Sequence, residues 1–151
     1  MPLNVFLVKH LKMLPKVSII INCHNGAQFL NECIDSIFNQ TSSDWEIIFW
    51  DNVSSDNSLD IDKSYGSKIR FFASETLLSL GQARRLAMQE ARGEFIAFID
   101  TDDIWLEDHL AIQVSFMESK SYLASYAGIQ EIDSEGVVIR NVIPEFSSGP
   151  Q

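Results

Sequence analysis

The chain has 151 residues, 46% of them hydrophobic, which is enough for one domain around one core. Eleven basic residues stand against 21 acidic ones, and the formal net charge of −10 excludes a general nucleic-acid binder, which needs a basic face for the phosphate backbone. No apolar run reaches the ~18–20 residues of a membrane span, and the patterned hydrophobicity excludes a disordered chain.

Residues 1–16 hold a short apolar stretch at 5–8 followed by Lys9, Lys12 and Lys16. A secretory signal has the reverse order and a small-residue cleavage site, so this segment reads as a loosely attached extension, with Met13 a second candidate start. The expected location is cytoplasmic, with the inner face of the membrane as a peripheral site.

Residues 17–21 (Val-Ser-Ile-Ile-Ile) form a β-branched apolar run, the signature of a parallel strand buried on both faces. A polar turn follows at 22–26. Phe29, Leu30, Cys33, Ile34, Ile37 and Phe38 then recur at helical spacing and predict an amphipathic helix of about three turns. Cys33 falls on its apolar face as a small buried hydrophobe. Cys23 and Cys33 give neither a disulfide framework nor metal-ligand spacing, and reduced thiols are expected. Residues 45–50 (Trp-Glu-Ile-Ile-Phe-Trp) predict a second strand ending in Asp51-Asn52. Ser54, Ser55 and Asp56 offer N-caps for a short helix toward Tyr65.

Residues 68–73 predict a third strand, and residues 81–91 a helix with Gly93 as its C-cap. Residues 94–99 predict a fourth strand ending in Asp100-Thr101-Asp102-Asp103, and residues 106–119 a helix. Residues 122–132 and 137–143 predict two strands joined by the turn-forming cluster 133–136, and the tail has no pattern. The expected organisation is an extension over 1–16, one domain over 17–143 and a tail over 144–151.

Strand–helix alternation through four strands predicts an α/β fold with a mainly parallel sheet and helices on both faces. Ligands of such sheets bind outside the carboxyl ends of the strands, near a switch in strand order. Here strand one ends in Asn22-Cys23-His24-Asn25, strand two in Asp51-Asn52 and strand four in Asp100 to Asp103, so three strands deliver polar or acidic groups to one rim. Residues 100–108 hold five acids and no base. Crowded carboxylates are relieved by a hard divalent cation such as Mg²⁺ or Mn²⁺, shared with substrate phosphates. An acidic cleft can therefore take a diphosphate if a metal bridges protein and ligand. Asp51 and Asn52 are placed to read a base or ribose, or else form a turn with local side-chain bonding. Arg84 can reach a phosphate, whereas Arg85 reads as a solvated helix position. His24 reads as a packing or hydrogen-bonding residue, not a catalytic base.

These stretches resemble the family 2 glycosyltransferases, with the nucleotide-sugar-binding GT-A fold, which is Rossmann-like. The resemblance rests on residues 17–26 (Val-Ser-Ile-Ile-Ile-Asn-Cys-His-Asn-Gly), 30–41 through Gln40-Thr41, 51–58 (Asp-Asn-Val-Ser-Ser-Asp-Asn-Ser), and Ala83-Arg84 through 91–103. The later pair of strands, around Tyr126 to Ile139, matches the element that follows the metal motif in many members. The resemblance implies that the turn holding Asn22, His24 and Asn25, together with Asp51, holds the nucleoside, with Asn52 near the base and Arg84 close to the nucleotide. It implies that Asp100 and Thr101 meet the ribose or the metal's water shell, that Asp102 with Asp100 ligates Mn²⁺ or Mg²⁺ in a DXD motif, and that Asp103 sits near the sugar. The implied partners are a nucleotide-sugar, UDP-sugars first, and a saccharide or lipid-linked acceptor.

Asn22 and His24 replace residues that are often Pro and Tyr in the family, and Asn52 replaces a frequent second Asp, which opens the site to bases other than uracil. Arg85 and Ala87 stand where Asn and Gly are frequent. The matched part is truncated before the acceptor half, which normally carries the general base, so no catalytic residue is assigned. The leading expectation is a metal-dependent, inverting sugar transfer. The alternative is a non-catalytic or truncated nucleotide-sugar-binding module. A phosphohydrolase built on Asp100 and Asp102 expects that pair on its first strand, not its fourth. An exposed apolar face where the acceptor half packs would favour self-association.

Overall fold

The computed structural model describes residues 14–62 and 65–142; the segments 1–13 and 143–151, where the expected extension and tail fall, lie outside the described residues. The described residues form two compact units, divided between residues 107 and 108.

The first unit is a four-stranded parallel sheet in the order β3-β2-β1-β4. Its strands are β1 (Val17–Cys23), β2 (Trp45–Asp51), β3 (Ile69–Ala73) and β4 (Phe95–Asp100), and its helices are α1 (Leu30–Phe38), α2 (Ser58–Asp62) and α3 (Leu80–Glu90). The chain steps outward from β1 to β3 and then jumps back past β1 to place β4. Right-handed crossovers therefore put α1 and α3 on opposite faces. Alternation along β1 and β2 sends Ile20, Ile48 and Trp50 to the α3 face, where they pack with Ala83 and Ala87. It sends Ile19, Ile21, Ile47 and Phe49 to the other face, and these are fully buried, as are Leu30, Cys33, Ile34 and Ile37 of α1. Two central strands buried on both faces explain their continuous apolar runs. On the edge strand β4, Ile96 and Phe98 are 40% and 42% exposed.

Several boundaries differ from the sequence expectations. β1 runs on through Asn22 and Cys23, which are strand residues and not part of the turn. The short helix starts at Ser58, and of the three candidate caps Asp56 accepts from the Ser58 backbone and hydroxyl at its start. Lys68 belongs to a one-turn 3₁₀ segment before β3. Ser79 and Gln82 form a reciprocal capping box, which starts α3 at Leu80. Its C-cap is Ala91, whose φ of −64° and ψ of 140° leave the helix. Gly93 is required for a different reason, since a Cβ there would lie 2.4 Å from the Ser18 nitrogen.

The second unit holds α4 (His109–Lys120) and the antiparallel pair β5 (Ile129–Ile132) and β6 (Val138–Val142). Residues 122–128, expected as strand, are irregular. The hairpin turn forms as its sequence suggests. Asp133 Oδ1 accepts from the backbone of Glu135 and Val137, and Gly136 takes a φ of +79°.

Candidate functional site

The carboxyl ends of β1, β2 and β4 form one rim, and the strand order switches between β1 and β4. Asn22 lies opposite Trp50 on one side and Asp100 on the other, so it stands at the switch point. Among the described residues its side-chain amide has no hydrogen-bond partner at either atom, although both are buried. An unpaired buried amide costs on the order of 1–3 kcal/mol.

The turns after β1 and β2 are laced together. The His24 Nδ1–H donates to the Asn52 carbonyl at 2.8 Å, since a carbonyl oxygen can only accept. Asn25 adopts a φ of +57°, a conformation Asn tolerates well, and its Oδ1 accepts from the Ser55 backbone at 2.8 Å. Asp51 is 3% exposed, and both its oxygens accept from the Ser54 N–H. Asn52 is bonded through its side chain to both backbone groups of Leu78. Val53 is held at a φ of +63°, a strained conformation for a β-branched residue. The structure thus brings His24, Asn25, Asp51 and Asn52 into one network, and Asp51 has the local turn bonding open to it from sequence.

On the β4 side, Arg84 of α3 donates to Asp100 Oδ1 at 2.6 Å, with its guanidinium 5.5 Å from the Phe98 ring centroid. Arg85 is exposed, as expected of a solvated position. Thr101 packs against the β1 turn so closely that a Cβ on Gly26 would meet it at 3.0 Å. Asp102 and Asp103 are exposed. The Asp103 carboxyl is held above the usual carboxylate range by partial burial and then by Asp102 and Asp100. Burial, followed by the same three carboxylates and Cys23, pushes the Cys33 thiol up to about 12. Negative charge is therefore crowded at this rim and only partly offset by Arg84.

Among the described residues no three His, Cys, Asp or Glu side chains are arranged to hold a metal by themselves. The donor set suits a hard cation that arrives with phosphate oxygens, which needs only one or two protein carboxylates.

Sequence reasoning missed the residues that hold the acidic loop. Ser36 Oγ accepts from the Trp105 N–H at 3.1 Å, Gln40 Nε2 donates to the Leu106 carbonyl at 2.7 Å, and the Thr41 N–H donates to Glu107 O at 2.8 Å. These bonds from α1 and its exit hold residues 105–107 out of the helix expected from 106. It also missed Asp56 and Ser58, which accept from the Ala27 and Gly26 backbones. The Ser54-Ser-Asp-Asn-Ser58 run, rich in short hydrogen-bonding side chains, was the available signal.

Residues 18–149 match the family described as Glycosyl transferase family 2. The chain is 32% identical over 130 residues to the UDP-Glc:alpha-D-GlcNAc-diphosphoundecaprenol beta-1,3-glucosyltransferase WfgD of Escherichia coli, covering 85% of this chain and 51% of that protein. It is 30% identical over 132 residues to the putative teichuronic acid biosynthesis glycosyltransferase TuaG of Bacillus subtilis, covering 85% and 52%. The chain thus spans about half the length of these two relatives. Among solved structures, S. aureus TarS 1-349 in complex with UDP superposes with a TM-score of 0.66 at 28% identity, covering 69% of this chain and 32% of that one. The Pyrobaculum calidifontis mannosyltransferase PcManGT, solved with GDP-Man and Mn²⁺, shares the fold at a TM-score of 0.64 and 21% identity, covering 78% and 35%. With its parallel GT-A-type sheet and a family match over residues 18–149, this chain belongs to glycosyltransferase family 2.

Proposed function

We propose that the C-terminal rim of β1, β2 and β4 binds a nucleotide-diphospho-sugar, UDP-sugars foremost, together with Mn²⁺ or Mg²⁺. The protein then transfers the sugar, with inversion, to a hydroxyl of a saccharide or lipid-linked acceptor. The observation that carries this reading is the convergence of an interlocked turn network (His24, Asn25, Asp51, Asn52), the unpaired Asn22 amide and the Arg84–Asp100 pair at the switch point. The WfgD name, which specifies a UDP-Glc donor, and the TarS complex with UDP support the choice of nucleotide.

In this reading Asn22, His24, Asn25, Asp51 and Asn52 form the nucleoside end. Arg84 lies close to the nucleotide, Asp100 and Thr101 meet the ribose, and Asp103 faces the sugar. Asp102 and Asp100 hold the cation, which when bound acts as a Lewis acid for the leaving nucleoside diphosphate. The Arg84 guanidinium already stands over the rim on Asp100 Oδ1 and has further donors to offer an anionic oxygen. No catalytic base is assigned among the described residues. None of their helices is long and apolar enough to cross a membrane. A cytoplasmic site of action, peripheral to the inner face of the membrane, is part of the proposal. So is self-association through the exposed Ile96 and Phe98 of β4.

Titration of UDP, GDP and dTDP with Mn²⁺, with Mg²⁺ and with chelator, in wild type and Asp102→Ala, tests the reading. UDP should bind with metal and lose at least tenfold in affinity with chelator or in the variant, while Asp102→Ala shifts stability by less than about 0.5 kcal/mol, as exposed substitutions do. Absence of binding by any nucleotide under every metal condition overturns the proposal. Metal-dependent binding with neither sugar transfer nor donor hydrolysis replaces the transferase with a donor-binding module.

A further inference from the structure

Asn52 is 8% exposed, and its backbone groups and both side-chain polar atoms have partners. Its N–H donates to the Cys23 carbonyl at 2.7 Å and its own carbonyl accepts from His24. Its side chain makes a reciprocal pair with one residue: Nδ2 donates to Leu78 O at 2.9 Å, and Oδ1 accepts from the Leu78 N–H at 3.0 Å. Leu78 lies in the 74–79 loop between β3 and α3. The start of that loop is also tied to β2, by the Ser74 N–H on Asp51 O and by the Trp50 indole N–H on Ser74 Oγ, both at 2.8 Å. Its end is the Ser79–Gln82 capping box of α3, the helix that carries Arg84 to Asp100.

We propose that Asn52 is a positioning residue. Its amide holds Leu78, and so fixes the loop and the start of α3 that place Arg84 at the rim; it acts on a nucleotide through that wall and not by touching the base. The functional half of this inference rests on the nucleotide-binding reading, whereas the clamp itself does not. Only an amide fits the clamp at neutral pH, because it presents one donor and one acceptor side by side. A carboxylate can accept from the Leu78 N–H but sets a second anionic oxygen against the Leu78 carbonyl. A protonated carboxyl again has one donor and one acceptor.

The test uses Asn52→Ala and Asn52→Asp in the whole chain. In Asn52→Ala the Leu78 amide should lose at least tenfold in hydrogen-exchange protection. In Asn52→Asp the melting temperature relative to wild type should be low at pH 7.5 and recover toward pH 5, as the carboxyl regains its proton. The affinity for UDP with Mn²⁺ should follow the same pH course in Asn52→Asp and stay flat relative to it in wild type. Unchanged Leu78 protection in Asn52→Ala, or a melting temperature of Asn52→Asp that matches wild type at both pH values, overturns the clamp. Binding of UDP by Asn52→Asp as tightly as by wild type at pH 7.5 overturns its role toward the nucleotide. If wild type binds no nucleotide, the functional reading fails, and exchange and melting still decide the clamp.

Discussion

The two ends of the same sheet use polar residues in opposite ways. At the amino end, Ser18 is fully buried and its hydroxyl is saturated: it donates to Glu46 Oε1 and accepts from the Arg92 and Gly93 N–H groups. Glu46 also receives Arg70, whose guanidinium reaches the Glu90 carbonyl at 2.6 Å and stacks over Phe72. Donors and acceptors are matched there, as a buried polar cluster requires if it is to stabilise. At the carboxyl end Asn22 has no partner among the described residues, Val53 is held in a strained conformation, and three carboxylates crowd one loop. An unsatisfied amide, backbone strain and crowded like charges are the features a protein tolerates at a site that a ligand completes, which is why the proposed function is placed there. The contrast separates the end whose polar groups are matched from the end whose polar groups are not.

The largest effect belongs to the amino end. Gly93→Ala places a Cβ 2.4 Å from Ser18 N and 2.8 Å from the Val17 carbonyl carbon. Both are backbone atoms of a central strand and have little freedom to move. Overpacking of this kind costs about 3 kcal/mol. Urea unfolding should show that loss, and in the fraction that remains folded nucleotide affinity should be unchanged. A loss of nucleotide affinity in that fraction would break the division between the ends.

Much of this was legible in the sequence because the central strands carry both signals at once. The runs in β1 and β2 are apolar on both faces, which gives parallel strands, and each ends abruptly in polar residues, which gives the rim. What was not legible came from bonds between segments distant in sequence. Gly93 reads as a helix stop, but its real constraint is Ser18, 75 residues away. The onset of helix after Asp103 is delayed because Ser36 and Gln40 occupy the backbone of 105 and 106, and no periodicity reports such competition. Asn52 reads as a base or ribose contact or a turn former from its place beside Asp51, and its bond to Leu78, 26 residues on, has no signal in the local sequence. The strand expected over 122–128 shows the reverse failure, a sequence with strand propensity but no paired neighbour among the described residues.

A smaller effect, of opposite sign, is expected at the carboxyl end. Asn22→Val replaces an unpaired buried amide by a β-branched side chain in a central strand. Relief of the desolvation penalty should stabilise the protein by about 1 kcal/mol. The same change should weaken nucleotide binding, so stability and binding move apart. A destabilised Asn22→Val protein would mean that the amide is satisfied in the free protein, and the two ends would then differ in backbone strain and charge.

The smallest effect is read as reactivity, not stability. Cys33 lies beneath the acidic loop and its thiol reaches the Asp100 carbonyl at 3.5 Å. With its pKa raised to about 12, chiefly by burial and then by Asp103, Asp102 and Asp100, the thiolate is only about one part in 10⁴ at pH 8. Iodoacetamide should therefore label Cys33 at pH 8 only as fast as the protein unfolds. The linkage has a definite sign. An acid whose folded pKa is raised contributes stability that is complete below its unfolded value of 9.0 and is lost as pH rises toward about 12. Stability should fall across that window, and Cys33→Ala should flatten the fall. Because burial is the first cause, Asp102→Asn with Asp103→Asn should leave the thiol unreactive at pH 8. Labelling of the folded double variant at that pH would instead make the carboxylates the main source of the shift, and so enlarge the electrostatic part of the contrast between the two ends.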